Sequence, residues 1–380
     1  MYSLIMILAG AILLALIGLR LKSSSLKTAT ARFRHWSFTT SREGQSQDTL
    51  HIESLSSFDW SVTEPLKLRT FKPVYFITMA MSGVRTAKPA DLIMIDHNYL
   101  ERLEIRQETL RNHAEKTLGC LPVGTAAVQE VYSYLLDSYL PVRYPLMFMK
   151  DEKKFFNRVT NTAFPLVPPA DPVEALRLMA ANVEDDMFIL QQEPQGHRCI
   201  AAMCTSPSGF DPSQKLGKLL KDIHAPVPAY DKIGPSMEKY FSRVEVGKNA
   251  VRNNWSVTTT PDLFNVATNH IKEDDPIEED INVDISKVKC YVYFNQGHLS
   301  DILQAILRCE LQTLSRLPKT RALLFSFKTF TYPIEDIKAE GLGPQLADAI
   351  EGLKSGNAEG MWIYKGGVRW GKSVCEYLRA

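Results

Sequence analysis

Arg308, Glu310 and Gln312 stand at alternate positions of a run that is otherwise apolar or small, RCELQTLSRLPKTRALLFSFKTF from Arg308 to Phe330. In a strand that spacing puts all three on one face and Cys309, Leu311 and Thr313 on the other. A row of Arg, Glu and Gln inside an apolar unit is costly unless the groups pair with each other or hold a ligand. Glu310 could hold an ammonium or relay a proton. It could equally form a structural ion pair with Arg308, because buried pairs mark both sites and scaffolds. The Pro-Lys-Thr in the middle of the stretch predicts a turn, so the whole reads as a buried hairpin carrying charge.

This segment and several others resemble the heme-dependent oxidative N-demethylase family, the alpha-subunit-like proteins related to dimethylamine monooxygenase. The resemblance runs through Phe58 to Leu68 (FDWSVTEPLKL), Met79, Asp96 to Leu100 (DHNYL), Tyr139 to Phe148 (YLPVRYPLMF), Glu184 to Leu190 (EDDMFIL), Lys215 to Tyr230 (KLGKLLKDIHAPVPAY) and Val251 to Trp255 (VRNNW), in the family's order. It implies a PAS-like α+β domain whose antiparallel sheet and flanking helices bind heme. It also implies dioxygen as co-substrate for removing an N-methyl group from a small amine. Fold carries over more safely than substrate, because one fold hosts many functions. The family pattern RVERQTL is changed here at Cys309 and Leu311, and loss of the second arginine bears on which substrate charge is accepted.

Read against a heme, His224 is the candidate axial ligand, since the following Ala-Pro-Val-Pro fixes the backbone and a fixed imidazole suits an iron. The plainer role is a histidine capping the last carbonyls of a helix. Cys309 is the rival ligand as a thiolate, or simply a small core residue. Arg252 offers a guanidinium to a propionate and Trp255 an indole for stacking, with Gln312 completing the cofactor-facing set. Arg308 and Glu310 would position substrate or protons. Asp185 and Asp186 read as a cap or surface pair ahead of a strand.

The elements that must position these residues are legible in part. Asn98 to Leu118 and Ala126 to Leu140 predict helices, the second ending near Tyr144-Pro145. Asp171 with Pro172 predicts a capped start for a helix reaching Val183. Met187 to Gln191 and Arg198 to Cys204 predict a strand pair, Lys215 to Ile223 a helix, Lys287 to Phe294 a strand and Leu342 to Leu353 a helix. Strand pairs alternating with helices favour α+β over a doubly wound sheet. His270 to Asp284 carries seven acidic residues and one lysine, which reads as a solvated loop.

The 380 residues are 45% hydrophobic, enough for a large packed core, and the net charge of +1 gives no reason to propose nucleic acid as a partner. Six scattered cysteines without a metal-ligand spacing argue for reduced thiols. Leu4 to Leu19 is uncharged and followed by Arg20, Lys22, Lys27, Arg32 and Arg34, which reads as a retained transmembrane anchor over residues 1–22. The alternative is a cleaved signal peptide, against which stand the missing charge before the run and the lack of a clean small-residue cleavage site. The positive flank places the folded domain on the cytoplasmic side, and so short a span suits the endoplasmic reticulum. Residues 23–57 read as a tether and 58–380 as the heme-binding domain.

Three functions follow as expectations. The first is a membrane-anchored heme monooxygenase acting on a small molecule, such as an N-methylated amine. It would draw electrons from a separate reductase, because no flavin or iron–sulfur motif is present. The second is a non-catalytic heme- or ligand-binding sensor or scaffold. The third is a nucleotide binder, suggested by Gly366 to Ser373 (GGVRWGKS), although that motif comes too near the C-terminus for a P-loop domain.

Overall fold

The computed structural model describes residues 51–77, 85–271 and 305–380. The expected anchor, most of the tether and the strand expected over Lys287 to Phe294 lie outside these residues. Among the described residues no helix is long and apolar enough to cross a membrane.

At the centre are β9 (Ile306–Arg316) and β10 (Leu323–Pro333), antiparallel and in register from Ile306 opposite Pro333 to Arg316 opposite Leu323. This is the hairpin the alternation predicted, and all eleven residues of β9 are buried. It extends into a seven-stranded sheet of order β1-β8-β9-β10-β6-β7-β2, with β1 Arg85–Ala87, β2 Leu118–Cys120, β6 Asp186–Glu193, β7 Gly196–Met203 and β8 Asn249–Thr258. Every pairing in it is antiparallel. Three short strands, β3 (Phe148–Lys150), β4 (Lys154–Asn157) and β5 (Thr162–Pro165), form a second sheet.

The mixture of helices and antiparallel sheet is α+β. Because side chains alternate across a strand, the large sheet has two faces, and both are covered. One face carries Leu307, Cys309, Leu311 and Phe330, packed against α6 (Ile334–Ala339), α7 (Gly343–Glu351) and α8 (Gly367–Arg379). Further along, the same face carries Met187, Ile189 and Leu324 under α1 (Tyr99–Thr117), α2 (Thr125–Ser133) and α3 (Pro172–Ala180). The opposite face carries Phe188, Leu314 and Phe327 under the segment holding α4 (Leu220–Ile223) and α5 (Gly234–Arg243).

Local signals worked where the chain's own neighbours decide the backbone. Asp171 caps α3 by accepting from the Val173 N–H at 2.9 Å, with Pro172 in the first turn. The helix expected over Ala126 to Leu140 instead runs to Arg143. Tyr134–Tyr139 forms a π turn in which the Leu140 N–H reaches back to the Leu135 carbonyl. Pro141 follows at once and has no N–H to donate, so widening the turn ahead of it accommodates its ring.

The helix expected over Lys215 to Ile223 shrinks to α4. Gly217 takes a left-handed φ of 79°, its N–H donates to the Cys199 carbonyl, and Arg198 bridges to Leu219. The stretch therefore runs alongside β7 before turning helical.

Asp185 and Asp186 are buried, not a surface pair. Asp186 accepts from Arg106 at 2.6 Å and from the backbone of Thr205 and Ser206 at 2.9 and 2.8 Å. Beyond them Lys328 reaches Asp96 at 2.7 Å and Glu184 at 2.8 Å. These two buried ion networks tie α1 and its preceding loop to the sheet. Removing one partner from either would strand a buried charge.

Candidate active site

The row on β9 meets a second row on β8. Arg252 lies directly across from Gln312, Asn254 from Glu310 and Ser256 from Arg308, all on the same face of the sheet as Ala250 and Leu314. Gln312 Nε2 donates to Glu310 Oε2 at 2.7 Å, and Asn254 Nδ2 donates to the same oxygen at 3.3 Å. Each amide is oriented from behind by a cation. Arg252 Nε donates to Gln312 Oε1 at 2.6 Å, and Lys365 Nζ to Asn254 Oδ1 at 3.3 Å.

The result is a chain of contacts, Lys365 to Asn254 to Glu310 to Gln312 to Arg252, with the carboxylate in the middle. Both amide donors converge on Oε2. Among the described residues none donates to Glu310 Oε1, and none accepts from the terminal nitrogens of Arg252. A carboxylate oxygen and a guanidinium fork are thus left available on neighbouring strands of one face.

Lys365, just before α8, is only 4% exposed and also donates to the Trp255 carbonyl. Its ammonium lies 5.7 Å from the Tyr75 ring and 5.2 Å from the Trp255 ring. Burial pulls its pKa down to about 8, against the opposing pull of Glu310.

Arg308 is 1% exposed and does not bond Glu310. Its terminal nitrogens donate to the Leu263 carbonyl at 3.1 Å and the Ser206 carbonyl at 2.5 Å, while Nε has no partner among the described residues. The expected Arg308–Glu310 pair is therefore replaced by a clamp on two loops. Arg252, Arg308 and Lys365 nonetheless all feel the charge of Glu310, three cations around one carboxylate. Burial lowers the pKa of both arginines, the cost of keeping cations away from water.

His224 closes α4 as the sequence suggested. Its Nδ1 lies 2.9 Å from the Leu220 carbonyl and its ring stacks on Tyr230 at 5.0 Å and 7°. Burial pushes its pKa down to about 4, and Arg252 and Lys215 push the same way. The ring is neutral at ordinary pH. With Nδ1–H on a carbonyl, Nε2 carries the lone pair that a metal requires. Phe188, Phe210, Leu314, Phe327 and Tyr230 form an apolar, aromatic wall on this face.

Two expected members stand elsewhere. Trp255 is opposite Cys309, and both belong to the other face of the sheet. Burial raises the Cys309 thiol to about 12, and its Sγ points at the Leu68 carbonyl 3.8 Å away. It is a core residue there. Trp255 contributes its carbonyl and ring to Lys365 and does not join the row around Glu310.

A family model for haem-dependent oxidative N-demethylase, alpha subunit-like, matches residues 83–375. The chain belongs to that family. The matched stretch includes β8, the central hairpin, His224 and Lys365.

The P-loop look-alike is excluded. Gly367 to Ser373 is the first half of α8, and Met361–Tyr364 ahead of it is helical, so no strand leads into a phosphate loop. The glycines serve packing. A Cβ on Gly371 would lie 2.0 Å, and on Gly367 2.5 Å, from the Trp362 indole.

An open cleft of about 700 Å³ lies along the segment after His224, lined by Lys221, Pro226, Pro228, Tyr230, Pro235 and Glu238 among others. It shares Tyr230 with the wall described above but includes none of the row around Glu310.

Sequence reading missed Lys365 and Asn254. Asn254 had a signal, since it follows Arg252 by two in a strand-like VRNNW. Lys365 had none, because nothing local distinguishes it from a surface lysine.

Proposed function

We propose that this protein has a PAS-like domain that binds heme and uses dioxygen to remove an N-methyl group from a small amine. The observation that carries this reading is Glu310, whose two amide donors occupy Oε2 and leave Oε1 to meet a ligand. The family match supports the chemistry class.

The residues fit the cofactor in two respects. His224 offers a rigid neutral imidazole with Nε2 carrying the lone pair, and the excess of buried cations suits acidic groups. Heme, when bound, supplies the activation of dioxygen. The chain's own part is to orient the amine. Glu310 Oε1 accepts a hydrogen bond from the amine nitrogen or takes a proton there, while Gln312 and Asn254 keep the carboxylate from rotating.

In the overall reaction one methyl C–H becomes C–OH. One oxygen atom of dioxygen enters that bond, and the other leaves as water with two electrons and two protons. The resulting carbinolamine breaks its C–N bond and releases formaldehyde and the demethylated amine. The electrons come from a separate reductase partner.

The test is an absorption spectrum of the chain as purified, reduced, and reduced with carbon monoxide. A stoichiometric Soret band that shifts with carbon monoxide is expected, with His224→Ala abolishing it. No heme after reconstitution would overturn the reading and leave a ligand-binding scaffold. An unchanged spectrum in His224→Ala would remove that residue from the ligand role.

A further inference from the structure

We infer that the ligand of this site carries a carboxylate beside its amine, as an N-methylated amino acid does, and that Arg252 receives it. The inference rests on the functional reading above for the identity of the site and adds the substrate class.

Arg252 and Glu310 lie on one face of paired strands, offset by one same-face step, because Arg252 is opposite Gln312 and Glu310 is two residues along from Gln312. Diagonal neighbours of that kind have backbones roughly 7–8 Å apart, within reach of long side chains. Gln312 ties the two heads together, accepting from Arg252 Nε and donating to Glu310 Oε2. What remains on each head is complementary. Arg252 presents two terminal N–H₂ groups with no described acceptor, the planar fork that matches a carboxylate. Glu310 presents Oε1, an acceptor for a protonated amine.

A ligand holding an ammonium and a carboxylate close together meets both at once. A simple alkylamine meets only Glu310, and it does so among three cations, Arg252, Arg308 and Lys365, with no carboxylate of its own to offset them. The electrostatics therefore favour a zwitterion over a bare alkylammonium. The same fork could instead take a heme propionate, which is also a carboxylate, and the experiment separates the two sources.

Binding of N-methylglycine and of N-methylamine is measured by calorimetry on the heme-reconstituted full chain and on the heme-free chain. Heme content is read in parallel from the Soret band. The wild-type chain is expected to bind N-methylglycine at least tenfold more tightly. Arg252→Gln is expected to bring the two affinities together without changing heme content. Arg252→Lys keeps the charge but not the fork, and should lose most of the preference while folding normally, so a misfolded glutamine variant would not decide the matter. Glu310→Gln should weaken both ligands alike.

Equal or reversed affinities in the wild-type chain would overturn the inference. So would heme loss in both Arg252 variants with the preference intact, which would give the fork to a propionate. A wild-type chain that takes up no heme yet keeps the preference would overturn the oxygenase reading alone.

Discussion

Glu310 is the residue on which the site turns, and its environment sets what a single substitution does. A glutamine there would place a third amide among Gln312 and Asn254 and remove the free carboxylate oxygen. Glu310→Gln is expected to retain the heme spectrum and to lower formaldehyde release by about 100-fold or more, the usual scale for a lost acid–base group. Turnover within a few-fold of wild type would take Glu310 out of the reaction. Lys365 acts one step behind, through Asn254. With its pKa near 8, it loses its charge as pH rises through that value, and Asn254 then loses the cation that fixes its amide. Ligand affinity should therefore fall between about pH 7 and 9 in the wild-type chain. Lys365→Met should be weak at both ends of that range and flat between them, and a wild-type chain equally flat would contradict this role.

At the scale of elements, α8 shows how a motif can match a nucleotide pattern for packing reasons. Gly371 lets the Trp362 indole lie against the helix, and an added methyl would lie 2.0 Å from it. Gly371→Ala should cost roughly 3 kcal/mol or more, as forced overpacking does, read from denaturant midpoints. Replacing Trp362 by a smaller apolar residue in the same chain should recover part of that loss, since contacting sites couple. Lys372 is exposed on the same helix. Lys372→Ala should shift stability by less than about 0.5 kcal/mol, and the melting temperature should not respond to ATP in either chain. An ATP-dependent shift lost in the variant would revive nucleotide binding. Element identity was legible wherever pattern and caps are local, as in the hairpin and at Asp171. It failed over Lys215 to Ile223, where Gly217 and a pairing with β7 from some twenty residues earlier override helical periodicity.

For the molecule as a whole, the buried ion networks joining α1 to the sheet set the response to pH. Asp185 is pushed up to about 7 by burial, which Lys328 opposes and Glu184 reinforces, and its Oδ2 has no partner among the described residues. Its unfolded value is near 3.8, so between those pH values the folded chain holds a proton that the unfolded chain has released. The sign follows from that difference: this group's contribution to stability falls as pH rises from about 4 to 7, by a few kcal/mol in order of magnitude. Asp185→Asn should therefore melt higher than wild type at pH 8, with the gap closing toward pH 4. A gap that does not change with pH would show that the carboxyl is not titrating in that window. Lys328 has the opposite sense of risk. Burial alone would lower its pKa, but Glu184 and Asp96 outweigh that and raise it. Its contribution is present below the unfolded value of 10.5 and lost as pH climbs beyond the folded one.

By itself the sequence determined the α+β class, the central hairpin, the face shared by Arg308, Glu310 and Gln312, and the family. Each of these is written in short-range alternation, in capping residues, or in motifs that keep their order along the chain. Only the tertiary structure decided which groups meet. Asn254 reaches Glu310 across 56 residues, and Lys365 reaches Asn254 across 111. Those contacts depend on strand register and on where α8 begins. The same register set Trp255 opposite Cys309, and the fold gave Arg308 to two backbone carbonyls instead of Glu310. Alternation tells which residues share a face of one strand, but a buried charge chooses its partner from whatever the whole fold brings within a few ångströms.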